Sequence, residues 1–146
     1  MISIAKAEQN NINEITDAIT GIIKNLDFTP LKDRIMIKPN LVDAVPPDNP
    51  TITHPNVVEG AILALHKLFG NAIKEYAIAE NSGYFSFKPE HFERLLDVSG
   101  YKSMTERLQN QGLKIKAINL EFEELVEHTW KHGTLKLPKI CETHTY

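Results

Sequence analysis

Residues 34–38 read Arg-Ile-Met-Ile-Lys and residues 75–79 read Glu-Tyr-Ala-Ile-Ala, and these two short runs decide the fold class. Each is a brief apolar segment with β-branched or aromatic members, too short for a helix and bounded by charge. That pattern predicts strands buried on both faces, as in a parallel sheet. A third segment, Leu113-Lys114-Ile115-Lys116-Ala117-Ile118, alternates well enough to be another strand, ending at Asn119. Thr134 to Leu137 predicts a further short strand that stops at Pro138, and Glu121 to His132 is ambiguous.

Between the strands the period changes. Ile12, Ile15, Ile19, Ile22 and Leu26 recur in steps of three and four, the stripe of an amphipathic helix. Asn11, with Glu14 three residues on, resembles a capping box, and the helix is expected to stop before Pro30. Pro55 suits the first position of a second helix whose apolar residues run from Val57 through Phe69 to Gly70. Phe92, Leu95 and Leu96, then Tyr101, Met104 and Leu108, predict two short helices separated at Ser99-Gly100. Counting the alternating start Met1–Lys6, the order is strand, helix, strand, helix, strand, helices, strand. The expectation is an α/β fold of three layers: a mostly parallel sheet, helices on both faces, Rossmann-like in outline.

The chain has 146 residues, 42% hydrophobic and 24% charged, which fits one globular domain and excludes disordered and fibrous classes. Its formal net charge of -3 offers no global positive field for nucleic acid or anionic lipid. Cys141 is the sole cysteine, so an internal disulfide is excluded, as is a four-cysteine zinc or iron–sulfur site. The start lacks the basic and apolar regions of a signal peptide, and no uncharged run reaches membrane-spanning length. A cytoplasmic location is the expectation, without nucleic acid or membrane as partner.

In an open parallel sheet, ligands bind beyond the carboxyl ends of the strands, where loops and helix N-termini converge. Three positions qualify: Lys38-Pro39-Asn40, Glu80-Asn81-Ser82-Gly83, and Asn119. The stretch from Pro39 to His54, with Pro46, Pro47 and Pro50 and no helical period, predicts a long loop of the functional kind, returning Thr53 and His54 to the same edge. Lys38 can neutralise an anion or pair with Glu80. Asn40 can shape the loop or touch substrate. His54 can act as acid, base or metal ligand, or simply cap the helix entered at Pro55. Ser82-Gly83 offers a hydroxyl and a pliable backbone. The ligand-binding candidates are therefore Lys38, Asn40, Thr53, His54, Glu80, Asn81 and Ser82, with a small anion as the expected ligand.

Other constellations read as structural. No G-x-G-x-x-G fingerprint and no P-loop occurs, which disfavours a standard dinucleotide site. His128 and His132 have a spacing that would share a helical face but no adjacent glutamate, and Cys141 with His144 lacks further ligands, so no metal is expected. Glu121, Glu123, Glu124 and Glu127 read as a solvated face, and Phe85, Phe87 and Phe92 as core packing.

Lys38-Pro39-Asn40-Leu41-Val42, Pro46-Pro47 and Thr53-His54-Pro55, followed by Ala79-Glu80-Asn81-Ser82-Gly83, Ser99-Gly100-Tyr101 and Ile118-Asn119-Leu120, resemble the N-terminal portion of the domain-of-unknown-function 362 family. The likeness covers roughly residues 34–140. It implies an α/β domain that continues, in relatives, into a Pro-Lys-x-Lys-Thr-His-like segment, a later Lys-Asn-containing segment and sometimes ferredoxin-type cysteine motifs. None of these is present here, so residues 1–146 are expected to form the first part of a longer family domain. The resemblance implies no general reaction and no defined cofactor. The leading expectation is a small-anion binding domain, part of an enzyme; the alternative is a non-catalytic interaction or assembly module that forms a homo-oligomer.

Overall fold

The computed structural model describes residues 2–26, 29–30, 32–81, 89–122, 125–130 and 133–138. It contains four α-helices, α1 (Ile12–Asn25), α2 (Pro55–Phe69), α3 (Pro89–Val98) and α4 (Tyr101–Asn110), and five strands, β1 (Arg34–Ile37), β2 (Glu75–Glu80), β3 (Ile115–Asn119), β4 (Leu125–Trp130) and β5 (Gly133–Pro138). β1, β2 and β3 form an open parallel sheet in that order, with Ile37 opposite Ile78 and Glu80 opposite Asn119. β4 and β5 form an antiparallel hairpin, with Leu125 opposite Pro138. The mixed order of helices and parallel strands makes this an α/β chain.

Side chains of the sheet alternate between two environments. Ile35 and Ile37, Tyr76 and Ile78, and Ile115 and Ala117 face a large core completed by Val58, Ile62 and Leu65 of α2, Leu95 of α3 and Met104 and Leu108 of α4, with Ile23 of α1 at its margin. Ala77, Ala79 and Ile118 face the other way, with Leu120, in a much smaller cluster. Consecutive strand order and crossovers of one hand bring α2 and the α3–α4 pair to the same side of the sheet. A second helical layer is not found among the described residues.

Two expectations change at the edges. Residues 2–8 form no strand, and Ile2 and Ile4 are 88% and 89% exposed, because the two alternating isoleucines meet no partner strand among the described residues. β1 is not covered on both faces: Met36 is 45% exposed, as the end strand's outward side chain. The helix signals hold more closely. Glu14 donates its backbone N–H to Asn11 Oδ1 at 3.1 Å at the start of α1. Gly100 separates α3 from α4 at φ +78°, a dihedral that favours glycine, and a Cβ there would crowd Pro47 Cγ at 3.1 Å. Gly60 serves close packing, since a Cβ would sit 2.5 Å from Ile15 Cγ2 across the α1–α2 contact.

Candidate functional site

β1 ends at Ile37, so Lys38 is the first residue past the sheet, and β2 ends at Glu80 on the side occupied by Tyr76 and Ile78. That alternation carries the Glu80 carboxylate under the chain leaving β1, where only 4% of the side chain is exposed. A buried carboxylate requires donors. Glu80 Oε1 accepts from Lys38 Nζ at 2.6 Å and from the backbone N–H of Asn81 at 2.9 Å, while Oε2 accepts from the Leu41 N–H at 3.3 Å. The Lys38 side chain remains 55% exposed. One carboxylate thus joins the ends of two strands and fixes a lysine whose other face meets solvent.

The loop after Lys38 is tied at its neck. Asn40 donates its N–H to Thr53 Oγ1 at 3.0 Å, Thr53 returns its N–H to the Asn40 carbonyl at 2.8 Å, and Asn40 Nδ2 donates to the Thr51 carbonyl at 2.8 Å. Tyr101, wholly buried at the start of α4, donates its hydroxyl to the Thr53 carbonyl at 2.9 Å. Burial, and secondarily the negative charge of Glu80, pushes the Tyr101 phenol well above its ordinary pKa, so it stays a donor. Asn40 and Thr53 therefore direct their polar groups at each other and at the loop.

His54 faces elsewhere. It is the N-cap of α2, its Nδ1 accepting the Asn56 N–H at 3.1 Å, and its Nε2 lies 3.8 Å from Asp48 Oδ1. Its ring lines a cavity bounded by α1, and Lys38, Glu80 and Asn81 do not. The structure accordingly brings Lys38, Glu80 and Asn81 together, places Asn40 and Thr53 beside them as the loop neck, and sets His54 apart. Ser82, Gly83, Phe85, Phe87, Cys141, His132 and His144 lie outside the described residues. His128 falls in β4, so the helical face it was to share does not form. Among the described residues, no three His, Cys, Asp or Glu side chains gather as a metal site, and no helix is long and apolar enough to cross a membrane.

A family model for a domain of unknown function (DUF362) matches residues 35–144. The chain belongs to the DUF362 family. No curated protein and no solved structure matches it. The DUF362 match takes in the whole Lys38–Glu80 arrangement, the tied loop and α2, and leaves α1 before its first residue.

Sequence reasoning misses one contributor to this DUF362 edge, Tyr101. Tyr101 reads as one more apolar helix position, and nothing local marks its bond to a residue 48 positions away. Asn119, one of the three strand-end positions that the sequence singles out, lies in register opposite Glu80; its Oδ1 accepts the Glu121 N–H at 3.1 Å, and its Nδ2 is buried without a hydrogen-bond partner.

Proposed function

We propose that this DUF362 chain binds a small anionic molecule, a phosphate or carboxylate, at the carboxyl edge of the parallel sheet, with Lys38 as the charge that meets it. The observation that carries this reading is where one ion pair of unequal burial stands: Glu80 is 4% exposed and Lys38 55%, much as Glu59 and Arg107 are 5% and 50%, but the first pair lies at the carboxyl ends of the strands. An ammonium has three N–H donors. Glu80 takes one and immobilises the side chain, which leaves donors turned toward solvent where an anion reaches them without deep desolvation. Asn81 stands next to the pair, Asn40 and Thr53 hold the loop in position, and the ends of parallel strands are where such ligands are met in open α/β sheets. His54 and Ser82 have no part in this reading.

The test is a calorimetric titration of the full chain with inorganic phosphate, citrate and a nucleoside monophosphate, alongside thermal unfolding. Lys38→Met is expected to lose binding and to keep the fold, since Glu80 retains two backbone donors; Lys38→Arg is expected to keep binding. Wild-type affinity in Lys38→Met would overturn the assignment. No binding of any anion, together with concentration-dependent dimerisation in light scattering, would replace it with an assembly role.

A further inference from the structure

The stripe of α1 is only partly covered by protein. Ile15 is buried in the notch at Gly60, yet Ile19 and Ile22, on the same face, stay half-buried. Both line a cavity of about 470 Å³ between α1, the segment before it and the loop around residues 47–54. That volume lies in the range of small-molecule sites. Ile52 and Val57 supply the facing apolar wall, and the segment before α1 is held in place by Asn56 Nδ2, which donates to the Gln9 carbonyl at 3.0 Å.

The polar groups in this cleft are few and specific. His54 has its side chain 12% exposed, and its Nδ1 is occupied as the acceptor for the Asn56 N–H. In the neutral ring the proton then sits on Nε2. That N–H makes no hydrogen bond within the described residues: Asp48 Oδ1, at 3.8 Å, is beyond hydrogen-bond reach. Among the described lining residues Asp48 alone carries a fixed charge, and its side chain is 89% exposed. The cleft therefore offers apolar walls, the His54 donor set among the neutral amides of Gln9 and Asn49, and no cationic side chain among its described lining to hold an anion.

We propose that this cleft binds an uncharged, largely apolar small molecule bearing one oxygen acceptor, such as a ketone or ester, to which His54 Nε2 donates. It is distinct from the anion edge in residues and in ligand chemistry. One of its walls, residues 5–22, lies before the family match, which begins at residue 35.

The experiment is an amide NMR titration of the full chain with camphor, its hydrocarbon counterpart camphane, and a camphor-derived carboxylate. Camphor is expected to give saturable shifts confined to residues 5–22 and 47–57. Camphane is expected to bind about fivefold more weakly, the size of one neutral hydrogen bond, and the carboxylate more weakly again. His54→Asn keeps a cap for α2 and is expected to reduce camphor to the camphane level. Ala18→Phe fills the cleft and is expected to abolish binding; if it does not fold, Val57→Phe, at a position 42% exposed, does the same from the other wall. Lys38→Met, which removes the anion contact at the sheet edge, is expected to leave camphor binding at the wild-type level, since Lys38 does not line the cleft. No saturable shift with any probe, a preference for the carboxylate, or wild-type binding in the filled variant that folds would overturn the proposal.

Discussion

The two ends of the parallel sheet use the same residue types in opposite ways. At the amino end, Asp33 pairs with Lys74 at 2.8 Å, and Glu75 with Lys114 at 3.0 Å and Lys116 at 2.7 Å, the lysines being 52–76% exposed. At the carboxyl end, a single nearly inaccessible glutamate takes one lysine and two backbone amides. In the first arrangement both Glu75 partners are solvent-exposed lysines, which weakens the pairs, although the Glu75 side chain is itself only 13% exposed. The second holds chain ends together, and its removal leaves buried donors without acceptors. Stabilising charge is therefore interchangeable at one end and specific at the other, which is the asymmetry expected if the carboxyl end is the working end.

The largest effect is expected at Glu80. Glu80→Ala strands the Leu41 and Asn81 amides, and about 2–3 kcal/mol of stability should be lost in urea unfolding, the half-exposed Lys38 recovering its hydration. A loss below about 1 kcal/mol would place Glu80 with the rim pairs and dissolve the contrast.

The two buried tyrosines sharpen it next. Tyr101 donates to the Thr53 carbonyl, whereas the Tyr76 hydroxyl is buried without a partner. Tyr101→Phe should cost about 1 kcal/mol and loosen the 39–54 loop in hydrogen exchange; Tyr76→Phe should be neutral or stabilising by a few tenths to about 1 kcal/mol. Burial pushes the Tyr76 phenol up to about 12 and raises that of Tyr101 as well. A raised folded-state pKa means the stabilisation is intact below the unfolded value near 10 and is lost as pH climbs past it, because the unfolded chain ionises first. The double variant should therefore show a flatter alkaline limb above pH 10. An unchanged limb would assign that loss to other groups.

How much of this was legible in the sequence follows the range of each interaction. The Asn11 cap, the Ser99-Gly100 break and the buried β2 run are local signals, and they led to the observed elements. Lys38 and Glu80 were reachable because both close apolar runs and a topological rule places strand ends together. The Tyr101–Thr53 bond depends on how α4 docks, and the direction of His54 on which ring nitrogen caps α2; neither is written in spacing. The isoleucine stripe of α1 was plain, but its incomplete burial depends on where the residue 47–54 loop lies. The alternating start was misleading for the same reason: periodicity reports what a segment can bury, not whether a partner exists.

The smallest expected effect tests the amino end itself. Hydrogen bonds from Lys116 first and Lys114 second hold the Glu75 carboxyl below its ordinary range. A depressed folded pKa makes its contribution complete above the unfolded value of 4.5 and removes it as pH falls through the folded value. Glu75→Gln should therefore cost no more than about 1 kcal/mol at pH 7, and variant and parent should converge as pH falls through the folded value. High salt should shrink the gap at pH 7 as well, since the lysines are open to solvent. Glu80→Ala should show little of this salt dependence, because its loss is of buried amide partners. If the two variants respond to salt alike, the carboxyl end is only a deeper rim, and the case for Lys38 as a poised ligand contact fails with it.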